Sequence, residues 1–329
     1  MKRFLIIGGE TFIGASLARR LVREGKDVHI VTQQRDSLWR LNDLMLSLRS
    51  HVVNLSSPDE VFSMLSSVKA DIIINTISYG EEAEETDLGQ TYDQNFFNLL
   101  LLVEQAKEVG FSCFINTGSC QEYGRKQDAF SEDSMTEPLS HLGLSKASAT
   151  MYLLKEAKKN SLPIYTVRPF IPYGPFQSRD SFITKLFTHT MIDVKFNRYY
   201  ANASHDFIYI DDLVNIYLAI VQQQPTDTPI INAGSGIPRK LRDVAHEFEG
   251  VWQHDLTIDW NIYSDIGFSM ESIGRCYSDQ TLANKKLHNL PPQMSLRDGL
   301  TTTFEWFIKN QIVYEDSRLN QIHQLQISI

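Results

Sequence analysis

Two stretches of this chain hold residues whose types and spacing suit chemistry. The first is Gly8-Gly9-Glu10-Thr11-Phe12-Ile13-Gly14. A short apolar run, Lys2 to Ile7, leads into it. Ala15 to Glu24 follows, with Leu17, Ala18, Leu21 and Val22 at helical spacing. Strand, tight glycine turn and helix together make an anion cradle. The opening helix aims its unpaired N–H groups and its positive dipole end at whatever sits in the turn, and a pyrophosphate suits that place. Glycine lets the backbone approach a phosphate and lets the helix pack close to the strand. The second stretch is Ser119-Cys120-Gln121-Glu122-Tyr123-Gly124, resumed at His141-Leu142-Gly143-Leu144-Ser145-Lys146. It gathers groups able to hold an oxygen or move a proton.

The elements that must position these groups alternate. Asp27 to Thr32 reads as a second strand, His51 to Leu55 as a third, and Pro58 to Val68 as a helix. Ala70 to Thr76 is a continuous apolar strand, as expected where both faces of a parallel sheet are covered. Ligands in such sheets bind beyond the carboxyl ends of the strands. Asn75 to Tyr79, Ser78 included, should therefore border the ligand. Gly80 to Gln90 reads as an acidic surface loop. Gln94 to Val109 is a helix apolar almost all round, which implies burial on more than one side. Phe111 to Thr117 delivers Ser119 to the same edge, and Leu162 to Val167 is a sixth strand. Helices are expected over Ser178 to Val194, Leu213 to Gln222, Lys240 to Gly250 and Ser295 to Lys309. Asp211 and Asp212 are expected to cap the second of these and Ser295 the last. The stretch from Tyr314 is polar and takes no place in the scheme. The fold class is α/β: a doubly wound parallel sheet of the Rossmann kind with a smaller C-terminal substrate lobe. Residues 1–170 and about 205–235 form the dinucleotide-binding part; about 171–204 and 236–329 form the lobe.

The end of the second strand bears on the cofactor. An acidic residue there would bind ribose hydroxyls and repel a 2′-phosphate, and an arginine would pair with that phosphate. Thr32 occupies the place, followed by Gln33, Gln34 and Arg35. This favours NADP, with Arg35 as 2′-phosphate ligand and Arg40 as a second; NAD is the alternative. A net charge of −9 argues against a nucleic-acid binder. Cys113, Cys120 and Cys276 have no metal spacing, so no metal is expected. No run is long enough to span a bilayer, and a cytoplasmic location is the expectation.

The glycine spacing resembles the Gly-x-x-Gly-x-x-Gly turn of the extended short-chain dehydrogenases/reductases, the nucleotide-sugar epimerase/dehydratase family, with Thr11 at its middle glycine. The resemblance runs from Met1 to about residue 310. It implies that Gly8, Gly9, Thr11, Phe12, Ile13 and Gly14 hold the cofactor phosphates. It implies that Ser119 polarises the substrate oxygen and that Lys146 binds the nicotinamide ribose. In the family a Tyr-x-x-x-Lys motif supplies the acid/base tyrosine, and that place is Leu142 here. A leucine moves no proton; Tyr123, His141, Glu122 and Cys120 are the replacements at hand. Asn95 matches a residue that braces the sheet. Arg168-Pro169-Phe170-Ile171-Pro172-Tyr173-Gly174-Pro175 resembles a turn that passes the nicotinamide, which assigns Pro169, Phe170 and Ile171 to the cofactor. His205-Asp206-Phe207-Ile208-Tyr209-Ile210-Asp211-Asp212 resembles a segment whose basic residue reaches the substrate diphosphate, here His205. Arg275, with Asp279, matches a nucleotide contact of the C-terminal lobe, and Cys120 follows Ser119 in the substrate site. Where the 4,6-dehydratases carry an Asp-Glu pair, this chain has Cys120 and Gln121. The 116–124 run looks most like deoxysugar reductases and epimerases, including CDP-abequose and CDP-paratose synthase-like proteins. The implied substrate is a nucleotide sugar, and the implied assembly is a homodimer through the helices near 94–109 and 145–159. A second reading keeps the fold without the redox chemistry, as a nucleotide-binding or regulatory protein, and a third is an enzyme of changed chemistry.

Overall fold

The computed structural model describes residues 2–33, 35–80, 87–125, 128–179, 181–192, 196–253, 256, 258–261 and 275–310. In chain order the strands are β1 (Arg3–Ile7), β2 (Asp27–Thr32), β3 (Arg49–Val52), β4 (Ile72–Asn75), β5 (Cys113–Thr117), β6 (Ile164–Pro169), β7 (Ile171–Tyr173), β8 (Phe196–Tyr200), β9 (Ser204–Tyr209), β10 (Ile230–Ala233), β11 (Pro238–Lys240), β12 (Ile258–Asn261) and β13 (Arg275–Cys276). The helices are α1 (Phe12–Arg23), α2 (Pro58–Val68), α3 (Leu88–Tyr92), α4 (Asn98–Val109), α5 (His141–Asn160), α6 (Phe182–Ile192), α7 (Ile210–Gln223), α8 (Leu241–Trp252), α9 (Thr281–Lys286) and α10 (Leu296–Lys309).

Seven strands pair in parallel in the order β10-β6-β5-β4-β1-β2-β3. The chain enters at β1, runs out to β3, then returns to β4 on the other side of β1. That reversal opens a crevice beyond the carboxyl ends of β1 and β4, where ligands of such sheets bind. Every residue of β4 and β5 is buried, as two covered faces require. Helices α1 and α7 cover one face and α2, α4 and α5 the other, each with its own apolar core.

The smaller lobe hangs from β6. Phe170 is the elbow: its N–H donates to Ala233 O in the large sheet (2.9 Å), and β7 begins at the next residue. Strand β9 pairs with β7, β11 and β13, while β8 pairs with β12. β9 thus lies in the lobe's sheet, although the reading above places residues 205 onward in the dinucleotide-binding part; β10 lies in the large sheet.

Two further expectations are corrected. The helix expected from Gln94 begins at Leu88 as α3 and passes through a π turn, Asp93–Phe97, before α4. The Tyr209 backbone opens α7, so Asp211 and Asp212 are not its caps but lie in its first turn, where carboxylates favour the dipole. Asp212 also accepts the Met294 N–H (2.8 Å). Ser295 caps α10 by accepting from Asp298 N.

Candidate active site at the carboxyl edge of the sheet

The glycine turn leaves β1 at the crevice. Gly8 has φ +83°, a left-handed conformation in which a side chain is strained, and a Cβ on Gly14 would lie 2.2 Å from Gly8 O. Thr11, in the family's middle-glycine place, is the N-cap of α1. Its Oγ1 accepts from Gly14 N (3.0 Å) and donates to Thr76 Oγ1 (3.0 Å). Thr76 in turn donates towards Ile7 O and Gly8 O (2.9 and 3.0 Å), which staples the turn to the end of β4. The side chain at position 11 is therefore folded inward. Of the first-turn amides it takes one, and those of Phe12 and Ile13 are left for a ligand. The residues fit a dinucleotide pyrophosphate: a backbone cradle that a Cβ would fill, under a helix N-terminus.

Lys146 marks the middle of the edge. It is 1% exposed. Its Nζ donates to Ile77 O (2.6 Å) and Thr117 O (3.0 Å), bridging the segments that follow β4 and end β5. Ser78 lies half-buried just past Ile77. The next residue, Tyr79, is clamped by Asn95, which accepts from its N–H (2.9 Å), donates to its carbonyl (2.8 Å) and donates to Ser145 Oγ (3.0 Å). Asn95 sits in the π turn, whose extra residue aims its amide at the edge. Leu142, four residues before Lys146, is buried near Gly80 and Thr91. Residues four apart share a helix face. Beside the lysine, then, is an aliphatic side chain.

Ser119 opens a one-turn helix, Cys120–Glu122, as a capping box: its Oγ accepts from Gln121 N (3.1 Å), and Glu122 Oε1 accepts from Ser119 N (2.9 Å). Ser119 remains half-buried. Its neighbours turn inward. Glu122 is fully buried and pairs with Arg168, whose Nε and Nη2 lie 2.9 and 2.8 Å from Oε2. The Arg168 guanidinium stands 4.4 Å over the Tyr123 ring.

Several expected site residues are set elsewhere. Tyr123 is 1% exposed, stacks on Phe130 and donates to Asn232 Oδ1 (2.7 Å). Burial pushes its hydroxyl far above the ordinary phenol range, so the structure does not bring it to the edge as an acid. Cys120 is sealed in an apolar cluster with Tyr123, Phe130, Phe170 and Cys276. A hydrogen bond with the Cys276 thiol, together with burial, pushes the Cys120 thiol well up, so it is no thiolate. His141 is exposed at the start of α5. His205 is 3% exposed, and burial lowers it to about 4. It is neutral at neutral pH, so it is not the cation expected at a diphosphate. Arg275 is exposed on β13, 4.7 Å over the Tyr277 ring. Pro169 and Phe170 are buried at the elbow, and Ile171 is half-buried. Arg40 donates to Glu10 O (3.0 Å) and Phe176 O (2.7 Å) and lies 4.2 Å over the Trp39 ring, so two backbone carbonyls hold it beside the glycine turn. The side chain of Arg35 lies outside the described residues.

Four features went unread in the sequence. The Ser119-x-x-Glu122 spacing announces the capping box. The Glu122–Arg168 pair and the Asn232 node, where Asn232 also donates from its backbone N–H to Glu132 Oε1 (2.8 Å) and from Nδ2 to Phe130 O (2.8 Å), join residues too far apart for any pattern. Glu10, inside the glycine turn, lies against the end of β2, where its carboxylate accepts from the Thr32 side chain and the Gln33 backbone.

Among the described residues no helix is long and apolar enough to cross a membrane, and no cluster of ligating side chains suits a metal ion. The chain is 24% identical to a UDP-glucuronate 4-epimerase of Thermodesulfobacterium geofontis, over 94% of this chain and 97% of that one. It is similar in fold to the Bacillus cereus UDP-glucuronic acid 4-epimerase solved with UDP-glucuronic acid and NAD (TM-score 0.81, 21% identity, 93% of this chain and 99% of that one). It is also similar to the Thermotoga maritima UDP-glucose 4-epimerase solved with UDP-glucose (TM-score 0.83, 20% identity, 94% and 99%). With its cradle, its sheet order and a family model that matches residues 4–234, the chain belongs to the NAD dependent epimerase/dehydratase family.

Proposed function

We propose that this chain binds a nicotinamide dinucleotide and a UDP-linked sugar and performs an oxidoreductase or epimerase reaction at a ring carbon without a phenol acid/base. One observation carries the reading: the edge is continuous from the phosphate cradle through Thr76 and Lys146 to Ser119, with Leu142 on the lysine's helix face. The amides of Phe12 and Ile13 would hold the pyrophosphate. Lys146 would stand at the nicotinamide ribose as a cation fixed by two carbonyls. Ser119 Oγ would donate to the oxygen on the sugar carbon that changes oxidation state. When bound, the dinucleotide would supply the hydride chemistry, and the protein would supply orientation. Here the proton must come from solvent or from the substrate. UDP-sugars are the class because the relatives carry those substrates in their names; the deoxysugar reductase assignment rests on the resemblance of the 116–124 run and of Leu38-Trp39-Arg40-Leu41.

The test is Leu142→Tyr. Positioned acid/base catalysis contributes ~10²–10⁴-fold. Hydride transfer, followed by nicotinamide absorbance with UDP-glucose, UDP-glucuronic acid and a UDP-4-keto sugar, should accelerate by about two orders of magnitude or more in the variant. A variant as slow as the parent, with both proteins binding dinucleotide, would support the non-redox reading. The lysine's contacts favour that second reading: an ammonium held by two carbonyls inside the fold also serves as a structural bridge.

A further inference from the structure

The end of β2 is the place where a dinucleotide-binding sheet meets the adenosine ribose, and here it carries no acid: the strand ends at Thr32, followed by Gln33. A carboxylate reaches that place from another element. Glu10, third residue of the glycine turn, is half-buried, with its carboxylate on the Thr32 side chain and the Gln33 backbone. Its Oε2 is buried and has no hydrogen-bond partner among the described residues. A buried carboxylate oxygen without a donor is costly and calls for one. The Arg40 guanidinium, which acts on the carboxylate through its charge, donates from Nη1 to the Glu10 carbonyl (3.0 Å) and from Nε to Phe176 O (2.7 Å).

We propose that Glu10 replaces the absent strand-end acid, accepting from the adenosine ribose hydroxyls, and that it makes the chain select NAD over NADP. Resting on the dinucleotide reading above, the inference names the residue that sets which dinucleotide is taken. A turn of the half-buried Glu10 side chain would bring Oε2 out to two vicinal hydroxyls, which supply the donors it lacks. A 2′-phosphate in the same place brings its charge against the carboxylate and offers no proton in return. Selectivity would then sit on the turn that also holds the pyrophosphate, not on β2.

The experiment titrates the full chain with NADH and with NADPH, by nicotinamide fluorescence, in the parent and in Glu10→Gln. The parent is expected to bind NADH at least about tenfold tighter than NADPH. In the variant, NADH should weaken about tenfold and the preference should collapse, the size of one charge-assisted hydrogen bond. A parent that favours NADPH or shows no preference overturns the inference, as does a Glu10→Gln protein whose preference is unchanged. The parent result stands whether or not the variant folds, and a thermal melt of the variant records its folding. If the parent binds neither dinucleotide, the dinucleotide reading itself fails, an outcome distinct from binding without preference.

Discussion

At the glycine turn, Thr11 takes one helix amide and leaves those of Phe12 and Ile13 facing the crevice, and Glu10 keeps an oxygen without a partner. Around Ser119 most of the polar groups have instead found one another: Glu122 has Arg168, whose Nη1 alone keeps no hydrogen-bond partner among the described residues, Tyr123 has Asn232, and Lys146 has two carbonyls. One end of the edge is arranged for something that arrives. The other is arranged to hold the large sheet, the 119–123 turn and the lobe together. The glycine turn thus keeps backbone amides open, while Glu122, Tyr123 and Lys146 are tied into the fold by partners from distant parts of the chain.

The strongest way to break that contrast is Arg168→Met. It leaves Glu122 charged and fully buried with no counter-ion, and removing one partner of such a pair costs about 3–5 kcal/mol. Urea unfolding should show a loss of that order. The double variant Glu122→Gln/Arg168→Met should recover part of it, because the stranded charge is gone. NADH affinity should change little under conditions where the variant is folded, since the cradle lies on β1 and α1. Equal loss of dinucleotide binding would mean that the two ends are one cooperative site and that the contrast is false.

His205 sharpens it next. Burial holds the folded imidazole at about 4, below its ordinary 6.5. Between those values the unfolded chain takes up a proton that the folded chain refuses, so stability is full above pH 6.5 and falls as the pH drops towards 4. The expected loss between pH 7 and pH 5 is about 2 kcal/mol from this one group. His205→Phe should remove that part of the pH dependence, while contributions from other groups stay common to both proteins. An equal loss of unfolding free energy between pH 7 and pH 5 in the parent and in His205→Phe, read from urea titrations, would show that His205 can be charged in place and return it to the role of diphosphate cation.

The contrast also sorts what the sequence made legible. Local pattern was enough for the cradle, because strand, glycine turn and helix are contiguous, and for β4, whose unbroken apolar run reports a strand covered on both faces. It was enough for Lys146 and Leu142, four residues apart on one helix. It failed where the decisive partner is distant. Tyr123 reads as a phenol beside the site until Asn232 is found on its hydroxyl, and His205 reads as a cation until its burial is known. Thr32 reads as a missing acid until Glu10 is seen to approach it from the preceding turn. The Asp211-Asp212 pair misled for a different reason: acidic residues are favoured both at the N-cap and within the first turn, and composition does not separate the two.

The smallest effect comes from Thr11. As N-cap it satisfies Gly14 N, and truncating a threonine cap to alanine typically costs ~1 kcal/mol, to glycine only a few tenths. Thr11→Ala should therefore lower the unfolding free energy by about that amount. Thr11→Gly restores the family's middle glycine at little expense in stability. It also frees the Gly14 amide, which then joins those of Phe12 and Ile13 at the cradle. NADH should bind Thr11→Gly severalfold tighter than the parent, and tighter than Thr11→Ala, whose methyl still occupies the turn. If Thr11→Gly binds more weakly, the hydroxyl is itself a phosphate ligand that turns outward on binding, and the cradle of this chain differs in chemistry from the glycine turn it resembles.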